Sequence, residues 1–128
     1  MKYLIIVFAL IAAALFGGYL LSSKKTITIA PAQGNNVTVE NDKQIVEIRA
    51  KGGYQPRNSI AKAGIPTTLR LTTKGTFDCS SSVRIPSMNI EQLLPASGSI
   101  DIDLGVQQAG VLHGTCGMGM YPFSINFN

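Results

Sequence analysis

A chain of 128 residues holds one domain with a modest core, and its formal net charge of +4 invites a nucleic-acid reading that its distribution excludes. Lys2, Lys24 and Lys25 supply most of the excess, while residues 26–128 hold eight Lys/Arg against seven Asp/Glu, with no basic run. With two cysteines and one histidine, the soft-ligand chemistry open to the chain is narrow.

Residues 3–21 carry no charge and no polar side chain beyond two tyrosines, and as a helix they would rise roughly 28 Å, close to the hydrocarbon thickness of a bilayer. The expectation is a transmembrane anchor over residues 1–22; the rival is a cleaved signal with small residues at Ala12-Ala13-Ala14, although the apolar run continues to Leu21. Lys24 and Lys25 after the span, against Lys2 before it, predict a single-pass cell-membrane protein with its domain in the cytoplasm. Residues 23–41 mix Ser, Lys, Pro, Gly and Asn and read as a tether, with short apolar-alternating pieces at 26–30 and 37–40, one of them a candidate edge strand.

From residue 42 to 128 short β-type runs alternate with Gly, Pro and Asn signals about every ten residues, the pattern of a sandwich or barrel. The runs fall at 44–50, 59–61, 67–72, 83–85, 99–104, 111–115 and 123–127. Val46, Ile48 and Ala50 alternate with Glu47 and Arg49; Ile100, Ile102 and Leu104 alternate with Asp101 and Asp103; Phe123, Ile125 and Phe127 alternate with Ser124 and Asn126. Each strand therefore buries one face and solvates the other. Residues 89–94, bounded by Pro86 and Pro95, read as the one helical turn of the domain.

The chemistry concentrates in Cys116-Gly117-Met118-Gly119-Met120, just before the closing strand, with Cys79 at the end of an earlier one. Thiolate and thioether are soft ligands that select Cu(I), whereas a blue-copper electron-transfer site needs two imidazoles and only His113 is present. The intervening glycines permit the positive φ values and close approach of a ligand loop, and sandwich topology can bring the two loops to one pole. Other readings stay open. Cys79 and Cys116 would form a structural disulfide in an oxidising compartment, worth roughly 4 kcal/mol in loop-closure entropy, or be a buried inert pair. Met118 and Met120 would be core filler, and a zinc site would need Cys79, Cys116, His113 and a carboxylate. Met88 is read as packing against the short helix, and His113, on the strand face opposite Leu112, as a surface residue or one that supports the ligands from behind, with ligation the lesser alternative. Ser80-Ser81-Ser82 has no identifiable base nearby and reads as a turn, so no catalytic arrangement is visible.

Gly52-Gly53-Tyr54-Gln55-Pro56, Ile60-Ala61-Lys62-Ala63-Gly64-Ile65-Pro66 and a final Cys-loop-Met before the last strand resemble the cupredoxin fold. Blue-copper members carry histidine where this chain has Cys79, and a second histidine between the cysteine and methionine of the last loop. Phe77-Asp78-Cys79-Ser80-Ser81-Ser82 together with Cys116-Gly117-Met118-Gly119-Met120-Tyr121 more closely resembles the CupA-like family, membrane-anchored Cu(I) chaperones of Gram-positive copper-efflux operons. That resemblance implies an all-β, cupredoxin-like Greek-key β-sandwich preceded by one N-terminal transmembrane helix. It implies two Cu(I) ions per domain, a tight one on Cys79 and Cys116 and a weaker one added by Met118 and Met120. It further implies a non-enzymatic carrier for copper resistance, which captures cytosolic Cu(I) and passes it to the metal-binding domain of a copper-exporting P-type ATPase. The alternative is an extracytoplasmic copper delivery or redox protein for oxidase assembly.

Overall fold

The computed structural model describes residues 1–21 and 36–128, with side chains of the N-terminal helix over 3–15. That helix, α1, runs Lys2–Leu21. Its described side chains are exposed. Among the described residues no helix is long and apolar enough to cross a membrane. This overturns the expected anchor at 1–22 and, with it, the assignment to a single-pass cell-membrane protein with a cytoplasmic domain. Most of the expected tether, including the piece at 26–30, lies outside the described residues.

The rest is β-structure, as the alternation requires. Among the described residues ten strands follow: β1 (Val37–Glu40), β2 (Lys43–Ala50), β3 (Tyr54–Gln55), β4 (Asn58–Ala61), β5 (Pro66–Lys74), β6 (Ser82–Ile85), β7 (Ile90–Leu93), β8 (Ser97–Val106), β9 (Gly110–Thr115) and β10 (Pro122–Phe127). One sheet is ordered β1-β2-β5-β8, with β3 also paired to β2; the other is ordered β4-β10-β9-β6-β7. Two pairings are parallel, β2 with β5 and β10 with β4, and the remainder are antiparallel.

The core lies between the two sheets. β2 contributes Val46, Ile48 and Ala50, all fully buried, and β5 adds Leu69 and Leu71 from the same sheet. Val83, Ile85, Phe123, Ile125 and Phe127 face them from the other. Each such aliphatic or aromatic side chain is worth about 1.5–3 kcal/mol when removed from water. Glu47, Arg49 and Asp101 stand on the solvent side, and Arg70 on β5 grips Asp101 on β8 through two 2.8 Å hydrogen bonds. Gln44 is buried but fully used: its amide donates to the Lys62 carbonyl and the Thr67 hydroxyl, and its carbonyl accepts from Lys62 N–H.

Residues 89–94 do not form a helical turn. A 3₁₀ turn occupies Pro86–Met88, and Asn89 adopts a left-handed conformation (φ 53°) that reverses the chain into strand β7, paired antiparallel with β6. Asparagine tolerates that conformation better than most residues with a Cβ, so the prolines bound a turn and a strand and not a helix.

Candidate metal centre

Two loops at one pole of the sandwich carry the four predicted ligands. The first leaves β5 and turns through a 3₁₀ segment, Cys79–Ser81, into β6. Asp78 caps that segment: its carboxylate accepts from Ser80 N–H at 2.7 Å and from the Ser80 hydroxyl, and its other oxygen accepts from Gly52 N–H at 2.8 Å. The Ser80 hydroxyl bond leads the causes that hold the Asp78 carboxyl below the usual carboxylate range. Asp78 thus stitches the Cys79 turn to the Gly52-Gly53 loop.

The second loop joins β9 to β10. Cys116 N–H donates to Tyr121 O at 3.3 Å and Gly119 N–H to Cys116 O at 2.9 Å, closing a tight turn in which Gly119 has φ +76°. At two positions an added side chain would force a neighbour to shift. A Cβ on Gly114 would collide with Cζ of the Phe123 ring, and one on Gly117 would lie 2.7 Å from Ser82 Oγ. The Phe123 ring packs in turn on Tyr54, with centroids 4.8 Å apart. Tyr54 donates to the Ser82 carbonyl at 2.6 Å, and burial, aided by the charge of Asp78, keeps its phenol neutral well above the ordinary pKa.

These turns bring Cys79 and Cys116 together with Cα atoms 5.8 Å apart, and the structure joins them as a disulfide. A disulfide was one of the readings left open beside a Cu(I)-binding thiolate pair, and the separation is natural to it. Cys116 is fully buried and Cys79 half-buried. Met118 and Met120 lie beside them in sequence but stand out in solvent, 81% and 62% exposed, which removes the core-filler reading. Phe77, on the other loop, is 84% exposed. Met88 is half-buried against the core, and not against a helix as expected. His113 is exposed beside buried Leu112, as its alternation predicts. Among the described residues no group of three or more His, Cys, Asp and Glu side chains is placed to hold a metal, so the tetrahedral zinc set is not assembled.

Sequence reasoning missed Asp78, Ser82, Tyr54 and Gly117. The Asp-x-Ser spacing of Asp78 and Ser80 is a recognisable capping signal, whereas the contact of Ser82 with Gly117 links residues 35 positions apart and has no local signature.

A comparison with the curated proteins finds no match. Among solved structures, the chain is similar to the metal-binding domain of the Cu(I)-exporting P-type ATPase CopA from Streptococcus pneumoniae D39 in its Cu(I) form, at 22% identity and TM-score 0.65, over 72% of this chain and 92% of that one. It is similar to a copper-binding protein in its apo form at 23% identity and TM-score 0.68, over 76% of this chain and 99% of that one. A chain of a heme-copper terminal oxidase dimer aligns at 17% identity and TM-score 0.50, over 99% of both. Identities this low speak to the fold. The sequence profile of the cupredoxin-like domain matches residues 7–124, nearly the whole length, and the two-sheet sandwich with its ligand-type loops at one pole agrees with it: the chain belongs to the cupredoxin-like domain family.

Proposed function

We propose that this protein is a copper carrier, not an enzyme, which binds Cu(I) through Cys79 and Cys116 and passes it to the metal-binding domain of a copper-exporting P-type ATPase, as the CupA-like family does. The observation that carries the reading is the convergence of Cys79 and Cys116 at 5.8 Å between Cα atoms, next to two solvent-facing methionines. A thiol reductant, itself oxidised to its disulfide, supplies the two electrons and two protons that convert the Cys79–Cys116 disulfide to two thiols. Cu(I) displaces their protons to give an anionic bis-thiolate centre, the tight position. Met118 and Met120 supply neutral thioethers for a second, weaker Cu(I), exposed where an acceptor can reach it. The absence of a second histidine from the sequence argues against a blue Cu(II) centre.

The test is a Cu(I) titration of the reduced full chain against a competing chelator, with Cys79→Ser and Cys116→Ser alongside, followed by mixing of the loaded chain with an ATPase metal-binding domain. Tight binding lost in both variants, and copper recovered on the acceptor, support the carrier; unchanged affinity in both variants refutes it. A second reading, extracytoplasmic delivery or redox work for oxidase assembly, is favoured by the disulfide itself, since such pairs persist in oxidising compartments. Alkylation trapping of the two cysteines in intact cells separates the readings: a reduced pair supports Cu(I) capture by the thiols, an oxidised pair supports the alternative.

A further inference from the structure

The serine run Ser80-Ser81-Ser82 divides its labour. Ser80 is buried and serves the Asp78 cap, and the Ser81 backbone carbonyl accepts from Leu94 N–H at 2.8 Å. Ser82 does something different. Its hydroxyl accepts from Gly117 N–H at 3.1 Å and reaches the Cys79 carbonyl at 3.4 Å. Its backbone N–H bonds that same Cys79 carbonyl, and its own carbonyl accepts the Tyr54 phenol. One side chain therefore touches the residue that follows Cys116 and the backbone of Cys79, and is the polar bridge between the two cysteine loops. Gly117 fits the same arrangement from the other side, because a Cβ there would stand 2.7 Å from Ser82 Oγ and drive the hydroxyl away.

We propose that Ser82 is the positioning residue of the two-cysteine centre: its hydroxyl, seated against a glycine that leaves it room, sets the approach of Cys116 to Cys79. This rests on the carrier reading for copper, but its physical content is the juxtaposition of two sulfurs, which is measurable without copper. A hydroxyl that fixes the Gly117 amide restrains the backbone one bond from Cys116, and so lowers the entropy lost when both sulfurs engage one partner, whether a metal ion or each other. A net hydrogen bond of ordinary strength corresponds to roughly a five- to tenfold change in an equilibrium constant.

The experiment compares the full chain with Ser82→Ala, Ser82→Thr, Gly117→Ala and Cys116→Ser in three measurements. These are Cu(I) affinity by chelator competition, the Cys79–Cys116 thiol–disulfide equilibrium in glutathione buffer without copper, and thermal unfolding. Ser82→Ala and Gly117→Ala are expected to weaken both the tight Cu(I) constant and the disulfide equilibrium by about five- to tenfold, and Ser82→Thr, which keeps the hydroxyl on extended backbone, to restore both. If Ser82→Ala lowers only the unfolding temperature and leaves the two constants at wild-type values, Ser82 is a structural residue and the proposal falls. Should Ser82→Ala fail to fold, Gly117→Ala decides: wild-type constants there overturn the proposal, and a loss in both supports it. A wild-type chain without a cysteine-dependent Cu(I) site would refute the copper reading alone, because the glutathione measurement still judges Ser82.

Discussion

Opening the Cys79–Cys116 link is the most informative perturbation of this fold, because the link closes a loop across a sequence separation of 37. Loop-closure entropy assigns a cross-link of that span roughly 4 kcal/mol at 25 °C. That is a large share of the 5–15 kcal/mol a domain of this size commands. Reduction of the full chain should therefore lower its urea midpoint by about 2–4 M, taking a dependence of about 1–2 kcal/mol per molar. Cu(I) bound by both thiolates closes the same loop with a different linker. At a free concentration one hundred times the dissociation constant it should return about 2.7 kcal/mol. The assay is equilibrium urea unfolding of the oxidised, reduced and reduced copper-loaded chain, with the Cys79→Ser/Cys116→Ser double variant as control. A reduced chain that unfolds at the oxidised midpoint would show that the loop is constrained by other contacts. Equal copper stabilisation of the double variant would place the metal away from the cysteines.

Replacing Met118 and Met120 together by Leu should remove the second Cu(I) equivalent and slow transfer to an acceptor, leaving the first equivalent within about threefold of its affinity since the thiolates remain; stoichiometric titration and stopped-flow transfer check this. Gly114→Ala should destabilise by about 1–3 kcal/mol through overpacking against buried Phe123, and Phe123→Leu in the same chain should recover part of the loss, as read from urea midpoints. The hydrogen bond and charge of Arg70 hold the Asp101 carboxyl below its ordinary value. This contribution is fully present above the unfolded-state pKa of about 3.9 and is lost as pH falls through the lower folded value, so stability should decline in that window by less in Asp101→Asn than in wild type. The pair is exposed, and the effect will be small.

The strands were legible because each runs along a surface that is wet on one side and dry on the other. Val46, Ile48 and Ala50, or Phe123, Ile125 and Phe127, record that geometry residue by residue, and the structure buries both sets. Residues 89–94 were not legible in the same way: two prolines mark an interruption without saying which kind, and the left-handed Asn89 that decides it is a backbone fact. The anchor was read from apolar length alone, and the described residues do not carry it. The soft-ligand loop announced itself through alternating glycine and sulfur. Its scaffold did not, since Asp78–Gly52, Tyr54–Ser82 and Ser82–Gly117 are contacts across 26, 28 and 35 positions that only the packed sandwich brings into register. The oxidation state of the cysteines depends on the surrounding redox poise as well as on the chain.

The placement of β10 between β4 and β9 governs the order in which this protein can assemble. β10 pairs in parallel with a strand 66 positions earlier, as the Ser124–Asn58 side-chain contact marks, and in antiparallel with β9 immediately before it. During synthesis β4 emerges with no neighbour in its own sheet, and Cys79 emerges well before Cys116. Until the β9–β10 segment is made, Cys79 has no Cys116 to pair with. Non-local pairings of this kind also form slowly. Each copy thus passes through an interval in which one sulfur of the pair exists and its partner does not, and translation speed sets the least length of that interval.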